Sequence, residues 1–237
     1  MTALLTFDTA TERMIVAVTN GGLVRSHTGE GGAKASATLI ATILRLLGEA
    51  GLALRDLDAI AFGRGPGAFT GLRTACSVAQ GLAFGAGKPV LPIDSLLLVA
   101  EDARGGASEL RVWAAIDARM NQIYAAEYAF ARGRWRVLHA PMLSDAEALS
   151  QRWQREPAEC VAGDAIGAFG TRLDGGAAIL RPAARASAGA LLALAQSAWH
   201  DGAGVDAAEA LPLYVRDKVA STTRERDEAR AALARVG

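Results

Sequence analysis

Apolar and polar positions change period several times along this chain. Residues 3–7 are an apolar run closed by Asp8, and the polar stretch Thr9-Ala10-Thr11-Glu12 separates it from a second run over 14–18. Asn20-Gly21-Gly22 is a hairpin turn signal, and 23–27 reads as a third strand. Over 34–50 the period becomes three and four, through Leu39, Ile40, Ile43, Leu44, Leu46 and Leu47, which predicts a helix. A fourth strand follows at 56–62. The helix predicted at 70–84 has apolar or small residues on several sides, as a helix buried on more than one face has. Pro89 opens a fifth strand at 90–93, and Asp94-Ser95 caps a third helix that runs to about Arg104.

The predicted order is βββ-α-β-α-β-α, a ribonuclease-H-like arrangement. After the linker Arg104-Gly105-Gly106 the opening pattern recurs. Residues 113–116 form an apolar run closed by Asp117, 123–130 reads as the next strand, Gly133 supplies a turn, and 135–140 follows. A helix at 144–153 has Ser144 as N-cap and Glu147 three residues on. Further elements are a strand at 160–163, a short helix at 166–173, a short strand at 177–180 and a helix at 187–199. The whole predicts an α/β fold of two tandem ribonuclease-H-like lobes, the plan of the actin-like (ASKHA) superfamily. Residues 1–104 form the first lobe and 107–209 the second, with the segment near 210–222 a candidate to return to the first. Residues 223–237 are a charged tail, either a solvated helix carrying an Ala229, Ala232, Leu233 and Val236 stripe or an unstructured segment.

Residues 59–84 concentrate the candidate chemistry. A hydrophobic run stops at Gly63, Gly65 and Gly67, with Pro66 among them, and Phe69, Thr70 and Gly71 begin a helix at once. Glycines there serve either a phosphate-facing loop or a corner in which two backbones approach closely. The spacing imitates a dinucleotide loop with Asp94 as ribose acid, but three hairpin strands precede it, and Gly71-Leu72-Arg73 stands where a phosphate-binding loop needs GK[ST]. The tight corner is therefore preferred. Asp8 and Asp117, with Arg119, are candidates for a vestigial nucleotide or phosphate site, since Mg²⁺ takes one or two carboxylates plus phosphate oxygens. Against that, each aspartate can instead bind backbone N–H groups of its own turn, and 9–12 contains no glycine. The helices at 34–50 and 70–84 hold more apolar and small positions than one buried face needs. Leu39, Ile43, Leu47, Leu72, Ala75 and Ala79 are therefore candidates for a partner interface, the alternative being a thicker internal core.

Composition narrows the classes. Lys+Arg and Asp+Glu balance at 25 each, so the chain alone is a poor nucleic-acid binder, although a local basic patch stays open. The two cysteines, Cys76 and Cys160, lie in apolar surroundings and read as buried thiols. His27, His139 and His200 are too far apart for HxxxH, GxSxG is absent, and neither a catalytic nor a metal residue is assigned. No basic n-region with an apolar core opens the chain and no apolar run approaches membrane length. The expectation is a cytoplasmic protein without a membrane partner.

Four motifs in order, FDTATE (7–12), GRGPGAFTGLR (63–73), AAIDARMNQIYAAEY (114–128) and ALPLYVRDKVA (210–220), span nearly the whole chain. Together they resemble the TsaB family, bacterial tRNA threonylcarbamoyladenosine biosynthesis proteins. The resemblance implies a non-catalytic paralogue of TsaD that works with TsaD and the ATPase TsaE. Their complex forms N6-threonylcarbamoyladenosine next to the anticodon of ANN-decoding tRNAs. It also implies docking through the first lobe's two helices, tRNA contact through the complex, and no intrinsic cofactor, with ATP/ADP and metal in the partner subunits. Nucleotide at a shared interface and a homodimer of the isolated chain stay open. The rival is an independent ATP-dependent enzyme of the actin-like fold using Asp8 and Asp117; a metallopeptidase is disfavoured because no histidine pair is present. Two positions depart from the family pattern: Ala35 where a histidine is common, and Ala68 where serine is usual.

Overall fold

The computed structural model describes residues 2–216. The tail at 223–237 therefore lies outside the described residues. β1 (Ala3–Asp8), β2 (Arg13–Asn20) and β3 (Leu23–Glu30) form the antiparallel meander, followed by α1 (Ala35–Glu49), β4 (Ala59–Gly65), α2 (Phe69–Ala86), β5 (Val90–Asp94) and α3 (Ser95–Arg104). The second half contains β6 (Leu110–Asp117), β7 (Ile123–Ala131), β8 (Arg134–Ser144), α4 (Ala146–Arg155), β9 (Cys160–Ala162), α5 (Ala165–Phe169), β10 (Ile179–Arg181) and α6 (Ala188–His200). Two five-stranded sheets result, in the orders β3-β2-β1-β4-β5 and β10-β9-β6-β7-β8. In each, the strand that ends in the repeated aspartate is central, antiparallel to the next strand in sequence and parallel to a later one. This is the actin-like plan.

Packing follows from the strands. β1 is buried on both faces, so the first sheet needs helices on each side. On one face Leu5, Phe7, Val16, Ile60 and Phe62 meet Leu39 and Ile43 of α1 and Ala75 and Ala79 of α2. On the other, Leu4, Ile15, Ala61 and Leu91 meet Leu191, Leu194 and Ala195 of α6. In the second sheet Val112, Ala114 and Tyr128 pack on Leu96, Val99 and Ala100 of α3, while Trp113, Ala115 and Ala125 pack on Leu149 and Trp153 of α4.

Three sequence expectations change. The division at 104/107 does not separate packing units, because α3 covers the second sheet and α6 covers the first, each presenting apolar side chains to the lobe it did not come from in sequence. The chain after α6 meets the first sheet already at Val205, bridged to Val90, and stays there through Leu213. The cap of α4 is Asp145, whose carboxylate accepts from Ala148 N–H at 2.8 Å. Ser144 is still paired with Ile123 in β8, so it cannot turn to cap.

A further correction concerns the interface positions. Leu39, Ile43, Leu47, Leu72, Ala75 and Ala79 are all buried in this chain. They form the i, i+4 rows that face the sheet, so the thicker core claims them. The same two helices expose a different row, with Ile40 51%, Leu44 54% and Phe84 86% accessible.

Candidate functional site

The glycine corner and the first aspartate are brought together. Asp8 closes β1 with its side chain 1% exposed. One carboxylate oxygen accepts from Ala10 N–H, the other from Ser95 Oγ–H at 2.7 Å. Ser95 Oγ in turn accepts from Gly65 N–H at 3.2 Å. The carboxylate occupies the space a side chain at Gly63 would need, since a Cβ there would lie 2.0 Å from Asp8 Oδ2. Desolvation by this burial is the largest influence on the carboxyl and raises its pKa, against the opposing hydrogen bonds from Ala10 and Ser95.

The other glycines meet the same turn. A Cβ at Gly67 would stand 2.3 Å from Ala10 O, and one at Gly71 2.0 Å from Thr9 O. Ala68 N–H donates to Ala10 O at 2.6 Å, and Thr9 Oγ1–H donates to Gly71 O at 2.7 Å. Gly67 and Gly71 therefore permit close approach to the Thr9-Ala10 backbone, and Gly63 makes room for the Asp8 carboxylate. Gly65 supplies a φ of 108° that L side chains rarely adopt. Phe69 and Thr70 open α2 immediately beyond. Ala68, one of the two departures, sits at the N-cap without a side-chain cap; Ala35 lies buried at the start of α1.

The second aspartate is placed differently. Asp117 Oδ1 accepts from Arg119 N–H at 2.8 Å, Oδ2 lies 3.3 Å from the Arg119 guanidinium, and the Asp117 N–H donates to Asp164 at 2.9 Å. Arg119 also reaches across to Glu12 of the first lobe. Between the lobes lies a cleft of about 750 Å³, whose lining includes Lys34, Phe69, Asp117, Tyr124, Asp164 and Arg216. Asp117 and Arg119 line it and Asp8 does not. The two aspartates thus occupy equivalent sheet positions without sharing a cavity wall. Sequence reasoning read Ser95 only as a helix cap and gave Glu12 and Arg216, quoted within motifs, no site role. A serine directly after a strand that ends beside the corner was the available signal for the first; the others have none without the fold. Among the described residues no three His, Cys, Asp or Glu side chains converge to hold a metal ion.

Residues 25–160 match the family model described as "TsaD: tRNA N6-adenosine threonylcarbamoyltransferase". The tRNA threonylcarbamoyladenosine biosynthesis protein TsaB of Escherichia coli K12 is 33% identical over 225 residues, covering 92% of this chain and 96% of that protein. The chain belongs to the TsaB family. The TsaB of Haemophilus influenzae is 44% identical over 122 residues, 51% of each chain. A solved structure of YeaZ from Pseudomonas aeruginosa superposes with a TM-score of 0.81 at 39% identity, covering 90% of this chain and all of that one. The shared fold accounts for the paired sheets.

Proposed function

We propose that this TsaB chain is a non-catalytic scaffold and activator of a TsaD–TsaE complex that forms N6-threonylcarbamoyladenosine next to the anticodon of ANN-decoding tRNAs. The observation that carries the reading is the filled corner. The Asp8 carboxylate is taken up by Ala10 and Ser95 and fills the space over Gly63, and backbone from Thr9 and Ala10 occupies the space over Gly67 and Gly71. A nucleotide phosphate approaching that loop would meet protein rather than free N–H groups. ATP/ADP and metal then belong to the partner subunits. The accessible row of Ile40, Leu44 and Phe84 on α1 and α2 supplies the docking face, with Gly81 and Gly85 leaving open space beside it for a neighbouring helix.

Reconstitution tests this. TsaD, TsaE, threonylcarbamoyl-AMP and tRNA are combined with and without the chain, and modified adenosine is quantified. Product forms only when the chain is added, and the chain alone makes none. Full activity of TsaD and TsaE without it overturns the proposal. Calorimetric titration with Mg-ATP checks the rival enzyme reading, which requires tight binding to the isolated chain.

A further inference from the structure

The ALPLYVR stretch is a motif that the scaffold role leaves unused. In the structure, four consecutive residues of it connect the lobes. Leu213 N–H donates to Arg64 O at 2.7 Å, within β4. The Tyr214 ring lies 4.9 Å from Phe69, and its hydroxyl accepts from Arg73 Nε–H at 3.3 Å, while the Arg73 guanidinium stands 3.9 Å above the Phe69 ring. Both contacts fall on the first turns of α2. Val215 then packs against the second sheet's core. Arg216 donates to Ala118 O at 3.0 Å and to Met120 Sδ at 3.0 Å.

The loop that Arg216 grips is a strained one. Arg119, Met120 and Asn121 have φ of 61°, 54° and 59° in succession, a left-handed conformation disfavoured for side chains with a Cβ. Such a run persists where its surroundings over-determine it. Inside the loop the backbone bonds are Ala118 N–H to Gln122 O at 2.9 Å and Gln122 N–H to Arg119 O at 3.1 Å. The other tie across the cleft, Arg119 to Glu12, joins side chains 67% and 81% exposed, where water competes and the pair contributes little. The 213–216 strap is thus the stronger cleft-side connection, while α3 and α6 form the buried seam between the lobes.

We propose that residues 213–216 are a clasp that ties the start of α2 to the strained 118–122 loop, with Tyr214 and Arg216 as positioning residues, so that partner docking on α2 is felt at the cleft wall. Its coupling to a partner rests on the docking role proposed above; the clasp itself does not.

Amide hydrogen exchange on the full chain tests both parts. Arg216→Met keeps side-chain length and removes the donors. Exchange at the Ala118 and Gln122 amides should become roughly tenfold faster, while β5 amides stay unchanged. Tyr214→Ala should raise exchange at Leu213 and in the loop together. Where Arg216→Met does not fold, Arg216→Lys gives the same readout, since an ammonium lacks the planar fork. Unchanged loop exchange in the folded variants overturns the clasp. Added TsaD should slow exchange in the 118–122 loop as well as on α1 and α2 of the wild type. In Arg216→Met the α1 and α2 protection should remain and the loop protection should vanish, which a merely local structural role would not produce. Helix protection without loop protection in the wild type overturns the coupling. No protection of α1 and α2 at all instead overturns the docking role and leaves the exchange result on the isolated chain standing.

Discussion

Gly63→Ala puts the filled corner to its sharpest test. The new Cβ would lie 2.0 Å from Asp8 Oδ2 and 2.7 Å from Asp8 Cβ, well inside the roughly 3.5 Å of a relaxed contact. The strands cannot slide apart cheaply, because β1 and β4 are in register with Phe7 beside Phe62, both fully buried. The carboxylate must move instead, loosening its bonds to Ala10 and Ser95. Hydrogen bonds of this kind contribute about 1–3 kcal/mol each and overpacking costs about 1–3 kcal/mol, so a loss near 4 kcal/mol is expected. For a chain of this size each kcal/mol moves the melting temperature by about 2–4 °C, giving a fall of roughly 8–16 °C. Thermal unfolding by circular dichroism measures it. Gly81→Ala in α2 is the control: nothing lies within 4 Å of its added Cβ, and helix propensity should raise stability by about 0.5–1 kcal/mol. If Gly63→Ala melts within about 2 °C of wild type, less than 1 kcal/mol has been lost and the corner has the free space of a ligand loop.

Three further outcomes follow from the same structure. Burial holds the Asp8 carboxyl above its ordinary 3.8, so the folded chain keeps the proton to higher pH than the unfolded chain does; the stability this proton contributes is complete below 3.8 and is lost as pH rises through the folded value. The stability of wild type relative to Asp8→Asn should therefore fall as pH rises above 3.8 in urea titrations, and a flat or rising difference contradicts it. Leu44→Arg and Phe84→Ala should leave melting within about 0.5 kcal/mol of wild type yet weaken TsaD binding by roughly 30-fold, the effect of an interface hot spot; unaltered affinity by biolayer interferometry removes that face from the interface. Glu127 is buried between Arg111 at 2.7 Å and His139 at 2.6 Å, so Arg111→Ala, which leaves the carboxylate with His139 alone, should cost about 3 kcal/mol and more than Glu127→Gln. The reverse order in denaturant melts would refute that account.

Much of the fold could be read from the chain because its signals are local. The apolar runs that end at Asp8 and Asp117 marked the two central strands, and the three-and-four spacing marked α1. What could not be read depends on residues distant in sequence. Leu39–Ile43–Leu47 and Ile40–Leu44 are adjacent apolar rows on one helix, about 100° apart around its axis. Periodicity shows that both exist, and only the sheet decides which is buried. The same holds for α3 and α6, whose Leu and Ala positions announce burial without naming the sheet they cover. The corner was equally ambiguous: Gly63, Gly67 and Gly71 permit close approach, but what approaches is the Asp8–Ala10 turn, far away in the chain. Ser144 and Asp145 are both good caps, and the extra β8 pairing to Ile123 chose between them.

The corner and the proposed docking face are also mechanically one device. α2 begins at Phe69, and Gly67 and Gly71 press its first turn against Thr9 and Ala10. Phe84 lies fifteen residues further along the same helix, about 22 Å at 1.5 Å per residue. A tilt of about 5° at the corner would displace Phe84 by about 2 Å, enough to spoil a packed interface. A loop with room for phosphate would leave that angle free to vary. Backbone-on-backbone contact through glycine fixes it, and the Tyr214 strap ties the same turn to the other lobe through Val215 and Arg216. The features that take up the space for a phosphate are thus the ones that would aim α2 in the docking role proposed above.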